Sequence, residues 1–351
     1  MSVRDNIIAD LKRKIALNSK NVENYMNLAN YYSDEKDYNL ATDTYNKVLE
    51  INPRHFLALT NAGCMCFFSR SYMEAIKYFK NAIEINPKNA AVYFNLGNVY
   101  AEIDNFNSAF ENYKLALKYT KNKAEVYNAL GILFQDVENY DEAIKYFKLS
   151  IKEDGLNPET YNSLGVVYQK KDEKMEALSC FKRAYELSKN DMTVALCLAN
   201  AYSSVKNYLK ARELYKEVIN KEPDNYYAFI CSAISSLENN EIDNAISDLK
   251  SAIEINPKQA NAYVLFADIL AEKERYNEAL HLYKTASLLE PENVKVLMFI
   301  ANTYFILEDF ENAVRYYKKA MKLKPYDNEI KLIYLDMISS YIDKMKKENN
   351  E

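Results

Sequence analysis

Glycine, histidine and tryptophan are scarce in this sequence. Its 351 residues include only 5 Gly, 2 His and no Trp. β-Sandwiches, β-barrels and glycine-rich nucleotide-binding folds need many tight turns and therefore more glycine, whose ordinary usage is roughly 7%. With 49% hydrophobic residues, the chain still has enough apolar side chains for a full core, which excludes wholesale disorder. The composition therefore predicts an almost entirely helical protein.

Signals for export, membrane insertion and nucleic-acid binding are also missing. No apolar run approaches the ~18 residues of a membrane span, and the charged segment 1–17 does not resemble a secretory signal. The net charge of −5 argues against a nucleic-acid partner. The five cysteines have no C-x-x-C spacing and are expected to be reduced: Cys64, Cys66, Cys180, Cys197 and Cys231. We predict a cytoplasmic protein with no membrane or nucleic-acid partner.

Residue patterns that carry chemistry are missing as well. His55 and His281 are far apart in sequence, and no metal-ligand spacing, phosphate-binding loop or nucleophile elbow occurs. Carboxylates such as Asp141 and Glu142 open helices, where they favour the positive helix end. We therefore predict a protein that is not an enzyme, with no catalytic, metal or cofactor site.

An internal repeat dominates what is present. Nine alanines recur every 34 residues without insertion or deletion: Ala41, Ala75, Ala109, Ala143, Ala177, Ala211, Ala245, Ala279 and Ala313. Four residues after each Ala stands a large side chain: Tyr45, Phe79, Tyr113, Phe147, Phe181, Tyr215, Leu249, Tyr283 and Tyr317. Proline follows in six units, at Pro53, Pro87, Pro223, Pro257, Pro291 and Pro325. A fixed period of this length indicates a solenoid of repeated helical units.

Each unit is predicted to hold two helices. In the unit that begins at Ala90, the first helix has an apolar stripe of Tyr93, Leu96, Gly97 and Tyr100. The second helix has the same spacing in Phe106, Ala109, Tyr113 and Ala116. Glycine or alanine stands where the two backbones must approach closely, and proline ends the second helix because it cannot continue the hydrogen-bond ladder.

These patterns resemble the tetratricopeptide repeat (TPR) family. The resemblance rests on N-L-G-N-V-Y (95–100), Y-N-S-L-G-V-V-Y (161–168), D-E-A-I-K-Y-F (141–147) and A-I-E-I-N-P (82–87 and 252–257). It covers 22–327 as nine units: 22–55, 56–89, 90–123, 124–157, 158–191, 192–225, 226–259, 260–293 and 294–327. It implies an all-α, right-handed superhelical solenoid whose first helices line the concave side.

Capping segments are expected at both ends of the array. Residues 1–21 are predicted to hold one helix, with Ile7 and Leu11 in the core phases of a second helix. Residues 328–351 are predicted to hold a C-terminal capping helix and a charged tail, with an apolar stripe that includes Ile330 and Met337. Such caps keep solenoids soluble.

The face of the first helices opposite the core is the predicted peptide-binding groove. Its candidate residues are Asn27, Asn30, Asn61, Asn95, Asn98, Asn128, Asn162, Asn200 and Asn302, with Tyr227, Ile230 and Ile234 as an apolar section. Asparagine both donates and accepts hydrogen bonds, so a row of them can pair with the main chain of an extended peptide. Consensus packing is the alternative explanation for these asparagines.

Charge on this face is mostly negative. Glu102, Asp136 and similar carboxylates outnumber Lys170 and Lys295. The resemblance therefore implies no clamp for the acidic tails of chaperones, because the basic members of such a clamp are absent. The favoured partner is a neutral-to-basic peptide, extended or helical.

Three functions remain open at this point. The first is a non-catalytic protein–protein interaction scaffold or adaptor. The second is the TPR region or partner subunit of an O-linked N-acetylglucosamine transferase-like glycosyltransferase, which a similar asparagine ladder suggests. The third is a self-assembling structural protein.

Overall fold

The computed structural model describes residues 3–348, and within that range it contains 20 helices and no strand. The first helices of the predicted units are α2 (Val22–Asp34), α4 (Phe56–Phe68), α6 (Ala90–Glu102), α8 (Ala124–Asp136), α10 (Pro158–Lys170), α12 (Met192–Ser204), α14 (Tyr226–Glu238), α16 (Ala260–Glu272) and α18 (Val294–Ile306). The second helices are α3 (Tyr38–Ile51), α5 (Tyr72–Ile85), α7 (Phe106–Tyr119), α9 (Tyr140–Glu153), α11 (Lys174–Leu187), α13 (Tyr208–Lys221), α15 (Ile242–Ile255), α17 (Tyr276–Leu289) and α19 (Phe310–Leu323). The end helices are α1 (Val3–Leu17) and α20 (Asn328–Glu348).

The chain divides into two compact units, where the sequence alone predicts one uninterrupted array. The first unit ends at Leu187 and holds α1–α11, and the second begins at Ser188 and holds α12–α20. Within each unit, every helix packs against the next one in the chain, and successive first helices such as α4 and α6 also touch. First helices therefore form the inner layer of each unit. The predicted all-α solenoid is confirmed.

The alanines that recur every 34 residues are buried in the core. All nine are at most 2% exposed, as are large partners such as Tyr45, Phe79 and Phe147. Interiors packed at this density tolerate little added volume. The period in the sequence is therefore the period of close helix–helix contact.

Glycine serves helix packing in this fold. A Cβ atom at Gly63, Gly97, Gly131 or Gly165 would lie 2.5–2.8 Å from a ring carbon of the second helix of the same repeat. The turns between the helices of a repeat use other residues instead. Nine non-glycine residues, spaced 34 apart from Lys36 to Glu308, have a positive φ of 55–61°. A glycine-poor chain can thus still make nine tight turns.

Asparagine side chains cap the starts of many helices. Asn89 Oδ1 accepts from the Val92 amide at 3.0 Å, and other helices begin in the same way at Asn21, Asn105, Asn139, Asn157, Asn207, Asn225 and Asn293. His55 caps α4 by accepting from the Ala58 amide through Nδ1. These caps satisfy backbone donors that have no partner inside the helix.

The helix ends recur with the 34-residue period, and α1 differs from expectation in which residues it packs. Second helices end at the same point whether or not proline follows, as at Tyr119 and Glu153. In α1, Leu11 packs on the first core cluster, but Ile7 is exposed. Ile8 and Ile15 pack there instead, because α1 turns Ile8, the residue after Ile7, towards the cluster. The last three residues of the predicted tail lie outside the described range.

The repeat that begins at Tyr226 has buried serines in its core. Ser236 is buried where most other repeats have a large side chain, and Ser235 beside it is buried too. Neither hydroxyl has a hydrogen-bond partner within the described residues. Unsatisfied buried hydroxyls are destabilising, so this repeat is a local weak point of the second unit.

Candidate functional site

Five tyrosines of the second helices hydrogen-bond to the first helix of their own repeat. The Tyr113 hydroxyl donates to Asn98 Oδ1 at 2.8 Å, and the Tyr215 hydroxyl donates to Asn200 Oδ1 at 2.7 Å. The same contact joins Tyr45 to Asn30 at 2.6 Å, Tyr283 to Asp268 at 2.5 Å, and Tyr317 to Asn302. Four of the predicted groove asparagines are therefore also partners of core tyrosines.

The other four repeats replace both members of this pair together. Where the second helix carries Phe79, Phe147, Phe181 or Leu249, the first-helix position fifteen residues earlier is Cys64, Ile132, Val166 or Ile234. A buried phenol needs a hydrogen-bond partner, and a phenyl ring does not. Sequence reasoning missed this pairing, although comparing the two positions across the nine repeats would have found it.

In the first unit, two further asparagines form hydrogen bonds to the neighbouring repeat. Asn61 Nδ2 donates to the Tyr45 hydroxyl at 3.2 Å, so Tyr45 is linked to the first helices of two repeats. Asn95 Nδ2 donates to Cys64 Sγ at 3.4 Å. These bonds fix the orientation of the carboxamides on the inner face.

The predicted groove asparagines of the first unit are called the asparagine row below: Asn27, Asn30, Asn61, Asn95, Asn98, Asn128 and Asn162. Asn128 and Asn162 differ from the other members of this row. Both side chains are half-buried on first helices of the first unit, and neither Oδ1 atom has a hydrogen-bond partner within the described residues. Leaving a buried acceptor unpaired costs about 1–3 kcal/mol. Packing alone therefore does not account for asparagine at these two positions. The remaining candidate, Asn27, is exposed.

Negative charge gathers beside this row. Burial raises the pKa of Asp136, and the nearby carboxylates of Asp104 and Glu102 raise it further. None of the three forms an ion pair within residues 3–348. A cationic group placed here would stabilise all three charges.

In the second unit, the predicted apolar residues separate into two kinds. Tyr227 is 57% exposed and Ile234 is 41% exposed, as a contact surface requires. Ile230 is only 4% exposed and packs with Ala233 and Leu249. Most of its side chain therefore packs in the core of the repeat, and its place in the groove stays a prediction.

Two clefts flank Ile234. The first has a volume of ≈ 360 Å³ and includes Asn200, Tyr215 and Glu238 in its walls. The second, of ≈ 320 Å³, includes Val264, Lys295 and Phe299, with Ile230 at its base. The second unit thus offers small recesses that are lined mainly by residues of its first helices.

The cysteines do not form a reactive or metal-binding site in the described part of the chain. Burial raises the pKa of Cys64, Cys66, Cys180 and Cys231 to about 11, so their thiols stay protonated at neutral pH. Residues 3–348 contain no cluster of three or more metal-ligating side chains. No helix in the same range has both the length and the hydrophobicity needed to cross a membrane.

Sequence models of known families match most of this array. Models described as tetratricopeptide repeat match 22–55, 90–123, 124–155, 158–191, 294–327 and 236–302, and one described as TPR repeat matches 71–104. Together these matches cover more than half of the chain. No curated protein matches it.

Solved structures with the same fold are distant in sequence. PilF from Pseudomonas aeruginosa is 22% identical with a TM-score of 0.52, over 62% of this chain and 97% of that protein. PilW, described as a widely conserved type IV pilus biogenesis factor, is 18% identical with a TM-score of 0.53, over 57% of this chain and 94% of that protein. A repeat protein from Parabacteroides merdae is 18% identical with a TM-score of 0.51, over 71% and 98% of the two chains. These likenesses show the fold alone.

Proposed function

This chain belongs to the tetratricopeptide repeat family, and from that premise we propose that it is a non-catalytic scaffold that holds an extended, neutral-to-basic peptide. The peptide lies along the inner face of the first unit. Repeats of this family serve generally as protein-interaction modules. The observation that supports the proposal is that the side-chain oxygens of Asn128 and Asn162, on first helices of that unit, are buried and have no hydrogen-bond partner within the described residues.

Main-chain recognition explains the asparagine row best. In this proposal the side chains of Asn128 and Asn162 rotate on binding, so that their Oδ1 atoms accept from peptide N–H groups. The Nδ2 groups of Asn30 and Asn98 remain available as donors, because their oxygens are bound to tyrosine. Such contacts bind backbone and ignore most side chains, while Glu102, Asp104 and Asp136 favour basic residues.

The test is a pull-down from native lysate with three baits. The intact chain is compared with N128A/N162A and with N107A, which removes an exposed asparagine from the second helix α7. Circular dichroism must first show equal helicity for all three. We expect a partner that the intact chain and N107A retain and that N128A/N162A loses.

The partner's contact segment, mapped by cross-linking, should be extended and not acidic. Equal retention by all three baits would show that the asparagine row is not the binding site. An acidic contact segment would contradict the proposed role of the carboxylates.

Self-assembly is a second candidate because α20 leaves an apolar stripe uncovered. Leu332 and Leu335 are 61% and 59% exposed, and Ile342 continues the stripe at coiled-coil spacing. Light scattering across concentration tests this idea. A mass of one chain at every concentration, unchanged in L332E/L335E, would remove self-assembly from consideration.

A further inference from the structure

The repeat that begins at Ala260 reverses a pattern that the other eight repeats keep. Near the end of every other second helix, a half-buried, mostly apolar side chain is followed by an exposed polar or charged one. The first members are Leu49, Ile83, Leu117, Ile151, Tyr185, Ile219, Ile253 and Met321. The second members are Glu50, Glu84, Lys118, Lys152, Glu186, Asn220, Glu254 and Lys322. In α17 the two positions are Ser287 and Leu288.

At this reversal the second unit has a cleft between the second helices α17 and α19, with α18 contributing to its wall. Ser287 is too small to fill the space that an isoleucine or leucine fills elsewhere, and Leu297 stands where most repeats have an aromatic residue. The result is a cleft of ≈ 660 Å³ with Leu297, Pro291 and Tyr316 in its walls. That volume is within the range of known ligand sites, roughly 300–1,000 Å³.

Exposed apolar surface continues beyond the rim of the cleft. Leu288 is 82% exposed, and Leu323 on α19 is also exposed. Exposed apolar side chains that adjoin an apolar cleft form a continuous patch, and such patches mark contact sites. Their position calls for an occupant that is longer than the cleft, such as a peptide.

The charged residues around the cleft indicate which charge that occupant should carry. Lys284, Lys319 and Lys322 line it, and no carboxylate does so within the described residues. Lys284 and Lys319 each hold their ammonium group 4.9 Å from a tyrosine ring centroid. None of the three forms an ion pair in residues 3–348, although the chain as a whole is acidic.

We propose that this cleft is a second docking site, which binds an acidic peptide segment of a partner protein through a large apolar anchor side chain. The anchor fills the space beside Ser287, the peptide covers Leu288, and its carboxylates pair with the lysines. This site lies mainly on the second helices α17 and α19 of the second unit and prefers the opposite charge to the asparagine row. The outcome of its test is therefore independent of the outcome for the proposed function.

The test is a display selection with random 12-residue peptides. Clones are selected on the intact chain and counter-selected on S287I/L288E, hereafter the filled variant, which restores the residues most common in the other repeats. We expect acidic clones with Leu, Ile or Phe that bind the filled variant at least tenfold more weakly. The filled variant should melt no lower than the intact chain, since isoleucine fills an existing space.

Two charge variants on α19 complete the experiment. K319E should weaken the selected peptides at least fivefold, and K318E, an exposed lysine outside the cleft on the same helix, should not. These variants keep the test valid even if the filled variant folds poorly. The proposal is overturned if no clone distinguishes the filled variant, if the distinguishing clones are basic or neutral, or if K318E weakens binding as much as K319E.

Discussion

The hydrogen bond between Tyr113 and Asn98 leads to a quantitative double-mutant prediction. Tyr113 is only 3% exposed, and its hydroxyl lies 2.8 Å from Asn98 Oδ1. The next repeat has Ile132 and Phe147 at the same two positions. N98I should therefore leave a buried hydroxyl unpaired and lower the unfolding free energy by about 1–3 kcal/mol. Y113F removes the hydroxyl and leaves a half-buried acceptor near water, which costs about 0.5–1.5 kcal/mol.

The double variant N98I/Y113F should recover most of that loss. It recreates the apolar pair of the next repeat, so its unfolding free energy should fall within about 0.5 kcal/mol of the intact chain, with a coupling of about 1–3 kcal/mol. Urea unfolding measures the totals. Amide exchange in α6 and α7 measures the local effect, since solenoids do not always unfold in one step.

The reverse exchange in the next repeat serves as the matched control. I132N alone should destabilise, and I132N/F147Y should again recover most of the loss by creating the tyrosine–asparagine bond. Additive effects in both cycles, within about 0.3–0.5 kcal/mol, would refute the claim that the two positions depend on each other.

Three further predictions concern packing, pH and local stability. G131A gains about 1 kcal/mol of helix propensity but brings a Cβ to 2.5 Å from the Phe147 ring, so it should lose up to about 2 kcal/mol net. F147L should relieve this loss, and a G131A more stable than the intact chain in urea would contradict the packing argument. Burial raises the pKa of Asp268, so D268N should stabilise the fold at neutral pH. The stability that D268N gains over the intact chain should grow as the pH rises from the ordinary Asp pKa of 3.8 through the raised pKa of Asp268. A difference in melting temperature that stays constant from pH 3 to 7 would disprove this. Amides in 226–259 should exchange faster than those in 90–157, because Ser236 and Leu249 stand where most other repeats have a large aromatic side chain. The reverse order in exchange mass spectrometry would contradict this.

The repeat architecture could be predicted from the sequence because its causes are local. Alanine every 34 residues, a large side chain four residues later and apolar stripes at helical spacing define each helix and its buried face. Turns such as that at Lys36 follow from the same register. The two helices of a repeat are close in sequence, so their pairing needs no long-range information.

The roles of individual polar residues depend on contacts between helices, which the helical periodicity of the sequence does not reveal. The sequence marks Asn98 and Asn128 as similar groove residues, but only packing shows that the first binds Tyr113 while the second has an unpaired oxygen. Ile230 has the spacing of an exposed position and is buried, because the neighbouring helix covers it. Hydrogen bonds and burial are set by how helices meet across a few ångströms, and a change of one side chain, such as Ser287, alters that contact without altering the repeat.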